Sequence, residues 1–289
     1  MVTIFYNKKN KLVIMSKMDI NSVGNTREGT FTYDWKASAL YNLGIGAQAE
    51  DLSFVYERVQ GGMKVFPSFA TIVAGSGMIF PTGTDYIRLL HGEQLIRLYA
   101  PLKPNGTINT KGVIEHIYDK GKAAVIHVKI SGHSPEGEHI FDTRYGYFVA
   151  GAGSFGGDPG PKAEPINPPE GVEPVFSISY KTSTNQAAFY RLNGDLNPLH
   201  IDPNIAKMAG QPKPILHGLC TYGIATRAIV YGLCDGDVSR FKEFSARFKG
   251  VVFPGETLIT EGWKDNGRYI IQTRKDNTVV LGNAYAIVE

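Results

Sequence analysis

Hydrophobic and polar residues alternate with the period of a β-strand along much of the chain. The alternation is clearest at Tyr269-Ile270-Ile271-Gln272-Thr273, and a two-residue period indicates a strand with one buried face. Turn residues separate neighbouring runs, at Asp119-Lys120-Gly121 and at Asp265-Asn266-Gly267, where Asn-Gly favours a hairpin. The pattern predicts an antiparallel meander in each half of the chain. The predicted strands are 107–118, 123–130 and 139–150, then 244–253, 257–263, 268–274 and 278–288.

A continuous apolar run begins at Pro214-Ile215-Leu216-His217-Gly218-Leu219 and extends to Val230. Its length and composition predict a buried helix. Leu89-Leu90-His91-Gly92 repeats the Leu-His-Gly part of this run in the first half of the chain, and we expect it to open a second segment with helical character. A sheet wrapped around a helix in each half is an α+β fold.

The chain divides at residues 151–174, which are rich in glycine and proline and predict a linker on the surface. We expect an N-terminal repeat over residues 1–150, of which 1–25 form a loosely ordered extension, and a C-terminal repeat over residues 175–289. A helix predicted at 35–43 leads into Gly44-Ile45-Gly46-Ala47, without a counterpart of the polar motif described below. The first repeat is therefore predicted to be non-catalytic.

Composition restricts the class of protein only modestly. The chain has 289 residues, 43% hydrophobic and 20% charged, which is typical of a globular protein. Its net charge is +3 and its basic residues are scattered, so nucleic-acid binding is not predicted. Cys220 and Cys234, the only cysteines, are predicted to be buried free thiols in a reducing compartment. The sequence shows no secretion signal, membrane-spanning run or C-terminal Ser-Lys-Leu, which predicts a cytoplasmic protein without membrane contact.

Candidate chemistry is concentrated between Tyr190 and His200. A short helix predicted over residues 186–192 ends at Gly194, and the loop after it carries Asp195 and His200, stiffened by Pro198. A carboxylate and an imidazole held in one loop can activate a water by proton transfer. The alternative is a loop in which Asp195 only caps the next turn and His200 only satisfies polar neighbours.

A second candidate is the Gly218 amide, near the start of the predicted apolar helix. The first amides of a helix lack acceptors and carry partial positive charge, so they can hold an oxygen that becomes negative during a reaction. The alternative is that Gly218 and Gly223 only allow close packing of the helix. Asp195, His200 and His217 have the atoms to bind a metal, but the closely spaced ligands of a zinc site are missing from the sequence, so no metal is predicted.

Residues 190–200, with Ile201, Asp202 and Ala206, resemble the motif of the 2-enoyl-CoA hydratase 2 family, the MaoC-like, R-specific hydratases. The resemblance runs from about residue 31 to residue 288 and includes Leu90-His91-Gly92-Glu93-Gln94 and residues 214–221. It implies a double hot-dog fold, with two antiparallel sheets that each wrap around a long central helix, and a homodimer. It further implies reversible syn addition of water to a trans-2-enoyl-CoA to give the (R)-3-hydroxyacyl-CoA, without a metal or organic cofactor.

At matching positions the resemblance implies a catalytic dyad of Asp195 and His200, with a supporting hydrogen bond from Asn197. Tyr190 would orient the dyad from the preceding helix. Asn193 departs from the family pattern, which usually has Ser or Thr at that place. The residues implied in binding acyl-CoA are His91, Gly92, Lys120 as a cation near the CoA phosphates, Gly218 as the amide that holds the thioester oxygen, and Phe248 as an apolar wall.

Two other classes of protein fit parts of this pattern. A hot-dog acyl-CoA thioesterase also uses a carboxylate and a helix N-terminus, but it hydrolyses the thioester. A non-catalytic acyl-CoA binding module would have no use for an intact dyad. The Asp-x-Asn-Pro-x-His spacing from Asp195 to His200 favours hydration.

Overall fold

The computed structural model describes residues 18–162 and 164–289, together with the backbone of two short strands, β1 (Thr3–Tyr6) and β2 (Leu12–Met15), which pair with each other. The further strands are β3 (Thr26–Tyr33), β4 (Leu89–Leu98), β5 (Gly106–Asp119), β6 (Ala123–His133), β7 (His139–Ala150), β8 (Phe176–Lys181), β9 (Phe241–Phe248), β10 (Thr257–Asp265), β11 (Arg268–Lys275) and β12 (Thr278–Val288). The helices are α1 (Trp35–Gly44), α2 (Leu52–Val55), α3 (Ala70–Val73), α4 (Gln186–Tyr190), α5 (Pro203–Met208) and α6 (Gly218–Cys234).

Strands β3 to β12 form one antiparallel sheet in the order β3-β5-β6-β7-β4-β9-β12-β11-β10-β8. Each half of the chain contributes five strands, and the pairing of β4 with β9 joins the halves. The strands predicted from alternation are all present, although the one predicted at 244–253 lies at Phe241–Phe248. At the predicted hairpin Asn266 and Gly267 have φ values of 40° and 83°, and two successive positive values are the geometry that Asn-Gly favours.

Helix α6 forms the core of the C-terminal half, as the apolar run predicted, but it begins at Gly218 because Leu216 still donates its N–H to Val252 O at 2.7 Å. The helix packs on β8, β9, β10 and β12. A Cβ on Gly223 would lie 2.4 Å from Cγ2 of Ile45. The missing side chain at Gly223 therefore lets α6 approach the N-terminal half closely.

The prediction of helical character at Leu89-Leu90-His91-Gly92 was wrong, because these residues open strand β4. Gln94, Ile96 and Leu98 are buried, and this two-residue period follows a β-bulge at Gly92. A short apolar run does not distinguish strand from helix, and pairing with β7 and β9 decides the outcome. Among the described residues the N-terminal half has no long central helix; α3 and 3₁₀ turns between residues 67 and 77 pack on its strands instead. The predicted α+β class is confirmed.

The remaining segments of the chain connect or flank the sheet and the helices. The segment 151–174 has no helix or strand among its described residues, and Asn283 and Trp263 of the sheet donate side-chain hydrogen bonds to its Glu164 and Val172 carbonyls. The predicted N-terminal extension lies mostly outside the described side chains, and Ile20–Ser22 forms a 3₁₀ turn. Both cysteines are buried free thiols, as predicted. Within the described chain, no helix combines the length and hydrophobicity needed to cross a membrane.

Candidate active site

The loop that carries the predicted dyad is shaped by local hydrogen bonds. Gln186 Oε1 accepts the Ser183 N–H at 3.1 Å, which fixes the start of α4. The chain continues in a 3₁₀ turn that ends at Gly194, whose φ of 116° favours glycine. Asn197 then caps the turn Pro198–His200, because its Oδ1 accepts a backbone N–H of that turn at 3.0 Å. The loop geometry is thus specified by residues on either side of the acid.

His200 is held in one orientation with one ring nitrogen free. The residue is 8% exposed, and its Nδ1 lies 2.9 Å from the Ile215 carbonyl oxygen. Because a carbonyl can only accept, Nδ1 carries the hydrogen and Nε2 keeps its lone pair. Burial lowers the pKa of His200 below its usual value of 6.5. The ring is therefore neutral near pH 7 and can accept a proton at Nε2.

Asp195 lies at the surface beside His200, and its Oδ1 accepts the Asn197 N–H at 3.2 Å. One carboxylate oxygen of Asp195 and one nitrogen each of His200 and His217 lie within 4.8 Å of one another. Two hydrogen bonds of about 2.8 Å that meet at a tetrahedral water bridge groups separated by roughly this distance. The structure thus brings the predicted acid and imidazole together, close enough for one water to contact both.

His217 is a third member of this cluster, one to which the sequence analysis gave no catalytic part. Its ring stacks on that of His200 with the centroids 3.7 Å apart, and its Nε2 donates to the Asp195 carbonyl at 3.2 Å. Its Nδ1 is buried without a hydrogen-bond partner among the described residues. His217 therefore links the Asp195 backbone to the His200 ring. Its position directly before Gly218 is the one feature of the sequence that could have indicated it.

The carboxylate and two imidazoles match the number of ligands in a catalytic zinc site. The lone pair of an imidazole nitrogen lies in the ring plane, so an ion bound by two rings must lie near both planes. The planes of His200 and His217 are inclined by only 26° and stacked, so they do not converge on a point within bonding distance. The arrangement fits proton transfer better than metal coordination.

Gly218 lies beside the ring of Phe248, which in turn contacts the ring of His91. Gly218 is the first residue of α6, and its N–H has no acceptor in the described part of the chain. A Cβ on Gly218 would lie 3.2 Å from Cε1 of Phe248, and the ring centroids of Phe248 and His91 are 4.8 Å apart. The amide, the predicted apolar wall and the predicted His91 are therefore brought together, with one ring from each half of the chain.

Two further predicted residues, Tyr190 and Asn197, lie beside the cluster. Tyr190 is fully buried, and its ring lies 5.0 Å from that of His217, while its hydroxyl has no partner among the residues described. It therefore touches the cluster by packing. Asn197 uses its side chain to cap its own turn, and only its backbone N–H supports Asp195.

Gly92 and Lys120, both predicted to bind acyl-CoA, lie in different parts of the sheet. Gly92 forms the β-bulge next to His91. Lys120 lies in the β5–β6 hairpin, where its Nζ donates to the Pro159 carbonyl. Two strand spacings, roughly 10 Å, separate β6 from β4 in the sheet, so Lys120 lies apart from His91 and Gly92.

Two tyrosines that were not predicted as site residues enclose His91. The ring centroids of Tyr145 and Tyr147 lie 5.5 Å and 4.9 Å from that of His91, and both residues are buried. They occupy alternate positions of β7 and so share its inner face. That alternation was visible in the sequence, but the partner strand was not.

We expect the free energy of unfolding to fall as the pH drops from about 6.5 to about 4. Burial lowers the pKa of His91 and of His217 from 6.5 to about 4. The unfolded chain binds protons in this window that the folded protein excludes, so the stability is complete above the unfolded pKa and is lost toward the folded one. Thermal melting followed by circular dichroism measures the decline. His91→Asn should make it shallower, and an unchanged decline in that variant would contradict the assignment.

Two family models match the chain in succession. The MFE-2 hydratase 2 N-terminal domain matches residues 31–151, and the MaoC like domain matches residues 166–284. The loop with Asp195 and His200 lies in the second match. The two matches meet near the glycine- and proline-rich segment.

Curated relatives are similar over most of the chain. The peroxisomal enoyl-CoA hydratase 2 of Arabidopsis thaliana is 40% identical over 280 residues, which cover 88% of this chain and 90% of that protein. The peroxisomal multifunctional enzyme type 2 of Mus musculus is 41% identical over 272 residues, or 88% of this chain. This chain spans 36% of the length of the mouse enzyme.

Solved structures show the same fold. A MaoC-like dehydratase from Phytophthora capsici superposes with a TM-score of 0.84 at 32% identity, over 94% of this chain and 98% of that one. A Mycobacterium tuberculosis protein described as a double hot-dog superposes with a TM-score of 0.58 at 12% identity, over 92% of this chain and 95% of that one, a likeness of fold alone. The predicted double hot-dog class is confirmed. By these matches along nearly its whole length, this chain belongs to the enoyl-CoA hydratase 2 family of MaoC-like hydro-lyases.

Proposed function

We propose that this protein is an R-specific 2-enoyl-CoA hydratase that adds water reversibly to trans-2-enoyl-CoA and forms the (R)-3-hydroxyacyl-CoA. One observation carries the proposal: a neutral imidazole and a carboxylate lie close enough to contact the same water, at the amide end of a buried helix. The names of the relatives support enoyl-CoA as the substrate class. The R configuration comes from the family resemblance of the motif.

The proposed mechanism divides proton transfer between Asp195 and His200. Water is a poor nucleophile, so one member of the pair takes a proton from it as the oxygen bonds to C3 of the substrate, and the other delivers a proton to C2. Transfer of the captured proton between the two members then returns the pair to its starting state. Because both groups lie around one water, the two additions occur on the same face of the alkene. The negative charge that develops on the thioester oxygen is stabilised by the Gly218 N–H.

The two halves have different roles in this proposal. The C-terminal repeat, residues 175–289, carries the chemistry, and the N-terminal repeat, residues 1–150, contributes His91 and the space for the acyl chain, with 151–174 as the linker. The first repeat has short helical segments between residues 67 and 77 where the second repeat has the long helix α6, so the two repeats are packed differently inside. Lys120, in the turn between β5 and β6, contributes a cation for the CoA phosphates in this proposal.

Turnover with crotonyl-CoA and with a longer trans-2-enoyl-CoA tests the proposal. We expect the ultraviolet absorbance of the enoyl thioester to fall without release of free CoA, and an R-specific dehydrogenase to oxidise the product. Release of CoA without loss of the alkene would instead identify a thioesterase. Binding without either reaction would identify an acyl-CoA binding module.

The assembly of the protein and its location in the cell stay predictions. We expect a homodimer, because two-fold pairing is the commonest assembly of soluble proteins; sedimentation of the purified protein measures it. A cytoplasmic location is expected from the sequence, whereas the mouse and Arabidopsis relatives are named peroxisomal. Localisation of the tagged full-length protein distinguishes the two compartments.

A further inference from the structure

Two ion pairs cross the junction between the halves in a symmetric pattern. Strand β4 carries Glu93 and Arg97, and strand β9 carries Glu243 and Arg247, so that each glutamate precedes its arginine by four residues. The antiparallel register sets each glutamate opposite the arginine of the other strand. Arg247 Nη2 lies 2.6 Å from Glu93 Oε1, and Arg97 Nε donates to Glu243 Oε2. The two pairs are equivalent in the local symmetry of the junction.

Their surroundings nevertheless differ. The Glu243 side chain is 3% exposed and also accepts a hydrogen bond from the Tyr285 hydroxyl at 2.5 Å. Glu243 is therefore part of the packing of the sheet, whereas the Arg97 side chain is 51% exposed. The side chains of Glu93 and Arg247 are 38% and 34% exposed, so packing alone does not account for their pairing.

The exposed pair adjoins the candidate site. Phe248 follows Arg247 directly, and successive side chains of a strand point to opposite faces of the sheet. The Phe248 ring therefore faces Gly218 on the inner side while the ion pair lies on the outer side. His91 lies two residues before Glu93, and its Nε2 donates to the Glu93 carbonyl at 3.0 Å. A shift of the Glu93 backbone thus moves the His91 ring as well.

We propose that Glu93 and Arg247 form a positioning pair that holds His91 against Phe248 beside the Gly218 amide, an inference that rests on the proposed hydratase function. The pair joins β4 to β9 directly after the bulge at Gly92, which interrupts the pairing of β4 with β7. It thereby sets how closely the His91 and Phe248 rings approach each other.

Gly146 supports this assignment from the neighbouring strand. It pairs with Glu93 in the β4–β7 register, and a Cβ at Gly146 would lie 3.0 Å from the Glu93 Cβ. The missing side chain leaves the Glu93 side chain room to lie on the outer face of the sheet within reach of Arg247.

The test compares Glu93→Gln with Arg97→Gln, which breaks the equivalent pair on the same strand. Calorimetric titration with butyryl-CoA, a saturated thioester that cannot be hydrated, gives the Kd, and crotonyl-CoA gives KM and kcat. We expect Glu93→Gln to raise Kd and KM roughly fivefold with little change in kcat, the range for loss of one partly exposed ion pair. The double variant Glu93→Arg with Arg247→Glu should restore most of the affinity. Arg97→Gln, or Arg97→Lys if it does not fold, should lower the Tm without raising Kd.

Equal effects of the Glu93 and Arg97 variants on Kd, or failure of the charge swap to restore it, would overturn the positioning role. The proposed function fails separately, if the wild-type protein binds butyryl-CoA but does not hydrate crotonyl-CoA. In that case the Kd values alone still decide whether Glu93 and Arg247 shape the binding cleft. A wild-type protein that binds no butyryl-CoA would overturn both proposals.

Discussion

Asp195→Asn and His200→Gln are each expected to lower kcat by roughly 10³-fold, within the range that general acid–base groups contribute. Asparagine keeps an oxygen that can accept the Asn197 N–H, so the loop is preserved while the proton acceptor is lost. Glutamine cannot exchange a proton near neutral pH. Because both residues act on the same water, the double variant should be little slower than either single variant. Steady-state rates with crotonyl-CoA measure all three.

Asp202→Asn is the matched control for the loss of a carboxylate in this loop. Asp202 caps α5, where its Oδ1 accepts the Asn204 N–H at 2.7 Å, and asparagine caps a helix equally well. We expect nearly wild-type turnover in this variant. Calorimetric binding of butyryl-CoA should be retained in the Asp195 and His200 variants. A double variant with wild-type turnover would contradict the shared-water mechanism.

Gly218→Pro is expected to lower kcat by roughly 10² to 10³-fold, the usual effect of removing one oxyanion donor. Proline deletes the N–H, yet it is well accepted at the first position of a helix. The preceding residue, His217, has φ of −58° and ψ of 136°, which is the extended conformation that a residue before proline prefers. The helix start is therefore compatible with the substitution, and the loss of rate reports on the missing donor.

Gly218→Ala is the control for this prediction, because it adds a Cβ but keeps the N–H. That Cβ would lie 3.2 Å from Phe248 Cε1, so a small shift of the ring accommodates it. We expect the alanine variant to retain most of the activity, while its circular dichroism spectrum and that of the proline variant match the wild type. Similar losses in the two variants would show that crowding against Phe248 lowers the rate, and the amide would then have no special role.

The prediction of the strands succeeded where one face of a strand is buried and the other meets water, since that arrangement leaves a two-residue period in the sequence. Residues 268–274 and 278–288 are examples. The Asn266-Gly267 turn, which joins β10 to β11, was also predictable because both residues favour positive φ. The prediction failed at Leu89-Leu90-His91-Gly92. There the apolar residues are clustered around a bulge, and strand pairing on both sides determines the conformation.

The loop from Tyr190 to His200 could be identified from the sequence because its acid, its imidazole and its turn residues are consecutive. His217 escaped assignment because its partners, Asp195 and His200, lie many residues away, and no local pattern specifies which ring will stack on which. The same holds for Tyr145 and Tyr147 beside His91. Contacts between distant residues depend on how the sheet and helix α6 pack.

By itself the sequence determined the α+β class, most of the strands, the buried helix and the loop that carries Asp195 and His200. Local periodicity, turn chemistry and the spacing of polar residues specify each of these. Only the tertiary structure decided that β4 pairs with β9 to make one sheet, and that His91 from the first half meets Phe248, the neighbour of Gly218, from the second. The physical reason is that burial and strand pairing act between residues far apart in the chain, whereas hydrophobic periodicity records only whether a residue is buried.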